Sequence, residues 1–359
     1  MKGLNNPIGY KSNQTLQNPF IMNPFRFSAG GGAGSWKELD RTTLVATGDS
    51  ITVSGLPNKE YYMVLTSKLG TANSGCWLQL NSDTGSNYAY RMSNNGGADG
   101  TVGSTTNGGA GTSATGNPAF GVRHISNLAS KEKLTISEFT EQNLPLDPPQ
   151  RRHNVAKWAN TSNAVDTITE LNIDSGDLSI GSETVVLGWD STDTYTTTDN
   201  FWQELGSSDL SGGTADILNI TSFSAKKYLW IQYYIEESTA NANARLTFNN
   251  DTGTNYAYRR SLNGGTDSTG HSKSYISPDG FEAGNKLVNM FIINKSANEK
   301  LSISNSVTNA TAGAGASPTR CKMVFKWTNT SSQITRIDLT NADTGEMGTE
   351  SFVKVWGSN

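Results

Sequence analysis

Hydrophobic residues alternate with polar ones in many short runs along this 359-residue chain, and turns rich in Gly, Asn, Ser and Thr separate the runs. A period of two is typical of strands with one buried face, and no segment keeps the 3.6-residue period of a helix. The pattern therefore predicts an all-β chain with about eight short strands in each half. The clearest runs are Tyr61–Ser67, Cys76–Leu80, Tyr88–Arg91, Leu134–Ser137 and Val155–Trp158, followed by Tyr228–Tyr234, Ala244–Phe248, Tyr256–Arg259, Leu301–Ser304 and Val324–Trp327.

The two series of runs belong to a tandem duplication. Residues 81–97 (NSDTGSNYAYRMSNNGG) match residues 249–265 (NNDTGTNYAYRRSLNGG) at all but four positions. The chain is therefore predicted to hold repeat 1 at residues 36–190, a linker at 191–201 and repeat 2 at 202–359. Each repeat has the size of an ordinary single domain, so we expect it to fold alone. Tryptophans recur at nearly the same offset: Trp36 with Trp202, Trp158 with Trp327, and Trp189 with Trp356.

The fold class that these patterns favour is two tandem homologous antiparallel β-sandwich domains, jelly-roll-like, preceded by an extended N-terminal arm. Residues 1–35 belong to neither repeat and contain three Asn-Pro-apolar units followed by a Gly-rich spacer. Proline removes a hydrogen-bond donor and favours extended backbone, so this arm cannot be a helix or a central strand. We expect it to be held on a partner subunit by five apolar anchors: Ile8, Phe20, Ile21, Phe25 and Phe27.

Composition and charge exclude several classes of function. Only 17% of the residues are charged, the net charge is −4, and no Lys/Arg cluster offers the positive field that a nucleic-acid partner requires. The two cysteines, Cys76 and Cys321, each continue an apolar alternation and lack metal-ligand spacing, so both are predicted to lie in a core. No apolar run predicts a membrane span or a secretion signal, and no glycine motif predicts a cofactor.

The tripeptide Asp-Thr-Gly occurs at 83–85 and again at 251–253. Aspartic proteases use two such motifs, but there the Asp closes an apolar strand, whereas polar residues precede it here. We therefore favour a hairpin turn, with Gly85 and Gly253 at the position that requires a positive φ. An enzyme is not expected, because the three histidines have no nucleophile at a recognisable spacing: His124, His153 and His271.

The same loops allow a second interpretation, a weak calcium site, because oxygen-bearing side chains alternate with a flexible glycine. The candidate ligands are Asn81, Asp83, Asn87, Asn249, Asp251 and Asn255. A separate candidate is Trp77, which lies opposite the face formed by Leu78 and Leu80 and is expected to point outward. An outward indole can stack on a sugar ring, so Trp77 is a candidate contact for a host-surface glycan.

The two hairpin segments carry a resemblance to a known group. Residues 246–259, their twin ending at Arg91, and the last strand of each repeat are similar to a module of tailed-phage and related viral structural proteins. That module has an Asn-x-Asp-Thr-Gly-x-Asn-Tyr-x-Tyr-Arg hairpin and ends in a strand introduced by Gly-Ser. The resemblance covers both repeats but not residues 1–35. It implies a virion component and brings no catalytic residues with it.

The leading functional hypothesis is a non-enzymatic virion structural protein displayed on the particle surface, as a capsid decoration or a tail-associated subunit. It would be synthesised in the host cytoplasm, form a homo-oligomer and contact other virion proteins through its arm. Two alternatives stay open: a double-jelly-roll subunit of the capsid shell, and a glycan-binding surface adhesin. No nucleic acid, membrane span or cofactor is expected in any of them.

Overall fold

The computed structural model describes residues 36–113, 116–193, 197–238, 240–280, 283–309 and 313–359. Repeat 1 forms a large sheet of eight strands in the order β1-β12-β3-β8-β9-β10-β5-β6 and a small sheet in the order β2-β11-β4-β7. All of the pairings are antiparallel. Its strands are β1 Lys37–Thr43, β2 Ser50–Ser54, β3 Tyr61–Lys68, β4 Ser74–Leu80, β5 Tyr88–Asn94, β6 Gly100–Thr105, β7 Ala110–Ser113, β8 Ala119–Ser126, β9 Lys133–Glu141, β10 Gln150–Trp158, β11 Thr167–Leu171 and β12 Glu183–Trp189.

Repeat 2 reproduces this topology except at one edge: among the described residues, its small sheet has no counterpart of β7. Its large sheet has the order β13-β23-β15-β19-β20-β21-β17-β18 and its small sheet the order β14-β22-β16. The prediction of two tandem homologous antiparallel β-sandwiches is therefore confirmed. A short 3₁₀ turn at Thr197–Asp199 precedes repeat 2. The strands are β13 Gln203–Asp209, β14 Ile217–Ile220, β15 Tyr228–Ile235, β16 Ala244–Phe248, β17 Tyr256–Leu262, β18 Ser268–Lys273, β19 Asn285–Ile293, β20 Lys300–Asn309, β21 Thr319–Trp327, β22 Ile337–Asn341 and β23 Phe352–Ser358.

Each sandwich has its own core between its two sheets. In repeat 1, Trp158 stacks on Tyr88 with their ring centroids 6.3 Å apart. In repeat 2, Trp327 lies 5.9 Å from Phe248, again measured between ring centroids. Cys76 and Cys321 are both buried, as the alternation predicted. These residues lie on the strand faces that sequence alternation assigns to the interior.

A further core joins the two repeats through the outer faces of their large sheets, and we call it the shared core. Burial of these faces means that a separated repeat would expose a broad apolar surface. The expectation that each repeat folds alone therefore changes: a fragment that folds should also associate. Repeat 1 contributes Trp36, Met63, Leu65, Phe120, Val122, Val185 and Leu187; the linker contributes Phe201; and repeat 2 contributes Trp202, Tyr228, Trp230, Phe291, Ile293, Leu301, Ile303, Val324 and Trp356.

Candidate functional site

The first candidate is the loop between β4 and β5, where the Asp83 carboxylate accepts several hydrogen bonds. The prediction that these two strands form a hairpin is wrong: β4 lies in the small sheet and β5 in the large sheet, so the loop crosses from one sheet to the other, as the loop between β16 and β17 does in repeat 2. Its Oδ1 accepts a bond from the Gly85 amide at 2.8 Å, and its Oδ2 accepts one from Trp158 Nε1 at 2.7 Å. Asn87 Nδ2 donates to the same carboxylate at 2.9 Å. Burial opposes ionisation of Asp83, but these donors outweigh it and hold the pKa of the carboxyl below its usual value. The loop therefore fixes the indole that completes the core.

Asp251 makes the same set of bonds in repeat 2. Its Oδ1 accepts from the Gly253 amide at 2.9 Å, and its Oδ2 accepts from Trp327 Nε1 at 2.6 Å and from Asn255 Nδ2 at 2.9 Å. Each Asp is thus engaged by donors from its own sandwich. A pair of carboxylates that share one proton requires the two groups to face each other, and this hydrogen bonding instead gives each Asp a structural role.

The sequence-based assignment of a positive φ to the glycines in these two loops is also wrong. The positive φ values fall on Asn81 (51°) and Ser82 (52°), not on Gly85. These two residues form a tight two-residue turn closed by the Asp83 amide, which donates to the Leu80 carbonyl at 3.0 Å. A two-residue turn of type I′ needs a positive φ at both central positions. In repeat 2, Asn249 and Asn250 take the same role, and Gly253 does not have a positive φ either.

Gly85 is instead required because the loop leaves no room for a side chain at this position. A Cβ at this position would lie 2.8 Å from Asn87 Nδ2 and 3.0 Å from Asp83 Oδ1. Both atoms belong to the hydrogen-bonded group that holds Trp158. A side chain here would therefore push that group apart.

Several of the oxygen atoms proposed as calcium ligands already accept hydrogen bonds within the protein. Asn81 Oδ1 accepts from the amides of Asp166 and Thr167, and Asn249 Oδ1 accepts from those of Thr335 and Arg336. The amide groups of Asn87 and Asn255 point their donors at the aspartates. Within the described ranges, no group of three or more His, Cys, Asp or Glu side chains is placed to hold a metal ion. The calcium interpretation stays a prediction that this geometry does not favour.

Trp77 lies on β4, on the face opposite Leu78, as the alternation predicted, but it is only partly exposed. Its ring centroid is 6.2 Å from that of Tyr90. The indole Nε1 is enclosed and has no hydrogen-bond partner among the described residues. A glycan contact at Trp77 stays a prediction. The five anchors proposed in the arm (Ile8, Phe20, Ile21, Phe25 and Phe27) lie outside the described residues.

Polar contacts that leave no signal in the sequence border the shared core. Glu183 at the start of β12 accepts bonds from Lys227 Nζ at 2.6 Å and Tyr228 Oη at 2.8 Å, both from repeat 2. Thr43 donates to its other oxygen at 2.6 Å. Burial opposes ionisation of Glu183, but the bonds from Lys227, Thr43 and Tyr228 prevail and lower the pKa of this carboxyl. The repeats are therefore joined by charge as well as by apolar contact.

A second polar connection surrounds the tip between β9 and β10. Arg151 pairs with Asp267 of repeat 2 at 2.6 Å, and both side chains are almost fully buried. Arg259 Nε donates to the Pro149 carbonyl at 3.0 Å, and Lys326 Nζ donates to the Leu144 carbonyl at 2.8 Å. Charge-assisted bonds of this kind, withdrawn from water, fix the orientation of one surface on another.

One signal in the sequence could have revealed the shared core. Strands β3 (YYMVLTSK) and β15 (YLWIQYYI) are nearly continuous apolar runs and lack the alternation of a sheet with one wet face. A strand of that type is buried on both faces. The small sheet of each repeat covers one face, so the other face must meet another surface. Here that surface is the second repeat.

Comparisons with known proteins add little to this description. No protein-family model and no curated protein matches the chain. Among solved structures, the chain is similar to domains LG4-5 of the mouse laminin alpha1 chain, with 9% identity and a TM-score of 0.20 over 91% of this chain and 89% of that one. It is also similar to the LG1-3 region of the laminin alpha2 chain, with 8% identity and a TM-score of 0.22 over 86% of this chain and 64% of that one. Similarity at this level carries no functional argument. In the part of the chain described, no helix is both long and apolar enough to cross a membrane.

Proposed function

We propose that this chain is a non-enzymatic structural protein displayed on the surface of a virion, as a capsid decoration or a tail-associated subunit, and attached through residues 1–35. The resemblance of the two Asp-Thr-Gly segments to a module of viral structural proteins supports the virion setting. Both loops have a structural role in the fold, since Asp83 and Asp251 each hold a core tryptophan. The resemblance is therefore carried by residues of the scaffold.

The observation that carries the attachment proposal is the position of Trp36, the first described residue. Trp36 packs in the shared core, and its carbonyl accepts a bond from the Phe201 amide at 2.7 Å. The arm thus joins the body where repeat 1 meets repeat 2. A partner that holds the arm would bear both sandwiches, and the Gly-rich spacer at residues 29–35 would let them stand away from it.

The test is incorporation into particles purified from cells that produce the protein. Deleting residues 1–28 should leave the body folded but remove it from the particles, because the duplicated unit makes its own cores. Replacing Phe20 and Phe25 by Ala should cause most of the same loss, since buried aromatics dominate such interfaces. The matched control replaces two polar residues of the same arm, Asn13 and Gln14, by Ala and should incorporate normally. Normal incorporation of the deletion variant would overturn the proposal.

The two alternative functions stay hypotheses. A double-jelly-roll shell subunit and a glycan-binding adhesin would both use sandwich surfaces, and no contact among the described residues specifically favours either. Glycan binding that disappears in Trp77→Ala would favour the adhesin.

A further inference from the structure

Three apolar side chains lie exposed on the outer face of the large sheet of repeat 1. Leu134 and Ile136 on β9 are 56% and 54% exposed, and Val155 on β10 is 37% exposed. Ile136 and Val155 are direct partners in the pairing of the two strands, so the three side chains form one patch. We call these three residues the repeat 1 patch.

The duplication shows what such a patch does elsewhere in the same chain. The equivalent positions of repeat 2 hold the same residue types, Leu301, Ile303 and Val324. There they are 1%, 3% and 2% exposed and belong to the shared core. The same three side chains on the same face of the same sheet are therefore covered in one repeat and uncovered in the other.

This difference arises because the two sheets are staggered where they meet. Repeat 1 buries Phe120 in the shared core, whereas the equivalent Leu287 of repeat 2 is 42% exposed. Each repeat thus uses a different end of the same sheet face. The repeat 1 patch directly continues the shared core, since Glu138, the next residue on this face of β9, binds Asn305 of repeat 2 at 2.8 Å.

Charged pairs border the repeat 1 patch. Lys157 pairs with Glu132 at 3.0 Å, and Arg91 pairs with Asp99 at 3.4 Å. Register places Lys157 opposite Leu134 and Arg91 opposite Val155, so both pairs lie on the patch face. Each pair contains one positive and one negative side chain. A surface that carries both signs of charge can complement a second copy of itself across a two-fold axis.

We propose that a second copy of this chain docks on the repeat 1 patch, patch against patch, to form a two-fold dimer. The outer face of the partner copy's large sheet would then cover the three apolar side chains of the patch. In the shared core, the equivalent residues of repeat 2 are covered in the same way. Lys157 and Arg91 of one copy would then approach Glu132 and Asp99 of the other. This dimer does not depend on the proposed virion role.

The first test measures mass in solution, by sedimentation of the full chain over a range of concentrations. The wild-type chain should be dimeric. Ile136→Asp should raise the dissociation constant of the dimer about a hundred-fold. Loss of one modest contact raises it about ten-fold, and the two-fold axis places the substitution in the interface twice. Ile217→Asp is the matched control, since Ile217 is 56% exposed on β14 of repeat 2, and it should stay dimeric. Circular dichroism should show the same fold in all three proteins.

A second test checks the geometry. Burial raises the pKa of both native thiols, Cys76 and Cys321, to about 12, so an introduced surface cysteine is the reactive one. A bifunctional maleimide should link Ile136→Cys into covalent dimers and leave the control Val307→Cys, which is 41% exposed on β20, largely unlinked. Equal linking of both variants would overturn the patch-to-patch arrangement.

Two results of the mass measurement would overturn the proposal. One is a wild-type chain that stays monomeric at about 100 μM, a concentration at which even a weak specific dimer forms. The other is an Ile136→Asp variant that dimerises as the wild type does. A third result would also exclude the second copy: a monomeric chain in which the cysteine of Ile136→Cys reacts with maleimide only after residues 1–28 are deleted. In that case the chain's own arm would cover the repeat 1 patch.

Discussion

At the scale of single residues, the two repeats offer an internal comparison of how one fold fills its core. Repeat 1 buries an ion pair, in which Arg123 donates to both oxygens of Glu170 at 2.8 and 2.9 Å. Both side chains are fully buried, and Thr66 also donates to Glu170 at 3.0 Å. Repeat 2 has Met290 and Leu339 at the equivalent positions, both buried. The fold therefore accepts either a paired charge or two apolar side chains at this place.

This comparison predicts the outcome of substituting the ion pair. Arg123→Met or Glu170→Leu alone should lower the free energy of unfolding by about 3–5 kcal/mol, because each leaves an unpaired buried charge. The double variant should be more stable than either single variant, since it adopts the arrangement of repeat 2. Urea unfolding of the four proteins measures this. A double variant whose loss equals the sum of the single losses would contradict it.

Asp83 gives a prediction about pH. Its pKa is lowered in the folded protein, so its contribution is present above the pKa of about 4 that an unfolded Asp has, and it is lost as pH falls through the lower folded value. Asp83→Asn should lower the free energy of unfolding by about 1–2 kcal/mol at pH 7, because an amide cannot accept from all three donors. Unfolding curves at pH 7 and below pH 3 should show the difference shrink in acid. A constant difference at both pH values would rule out this role for the carboxylate.

At the scale of elements, sequence patterns located the strands better than they located the strand ends and turns. The run Ala244–Phe248 matches β16, whereas Leu134–Ser137 covers only the first half of β9, Lys133–Glu141. Apart from Phe139, the residues of β9 outside this run are polar but paired with β8 and β10, and hydrogen bonding of that kind leaves no hydrophobic signal. The turn was misassigned because Asn81 and Ser82 both adopt a positive φ, although a glycine stands nearby.

The corrected turn predicts a stabilising substitution. Ser82→Gly should raise the free energy of unfolding by about 0.5–1 kcal/mol, because it relieves part of the roughly 1–2 kcal/mol that a non-glycine residue loses in the left-handed region. Ser86→Gly in the same loop is the control, since Ser86 does not have a positive φ. It should be neutral or slightly destabilising, because it only adds freedom to the unfolded chain. A gain from Ser86→Gly as large as that from Ser82→Gly would contradict the turn assignment.

At the scale of the whole molecule, the sequence indicated two domains but not that they share a core. Recurrence of a tryptophan in both repeats indicates a role in the duplicated fold, and Trp158 and Trp327 have that role, since each lies in the core of its own sandwich. Trp36, Trp202 and Trp356 instead lie between the repeats. A pattern along one chain segment records that a face is buried, but it does not record which other segment covers that face. The two repeats should therefore unfold as one body.

Calorimetry of the full chain, with fragments 36–190 and 200–359 measured beside it, tests this account most directly. The full chain should show one transition whose calorimetric and van't Hoff enthalpies agree, at a higher temperature than either fragment. The fragments, with the shared core exposed, should associate and melt earlier. Two separate transitions in the full chain, each at the temperature of the corresponding isolated fragment, would show that the repeats are independent and would contradict the shared core.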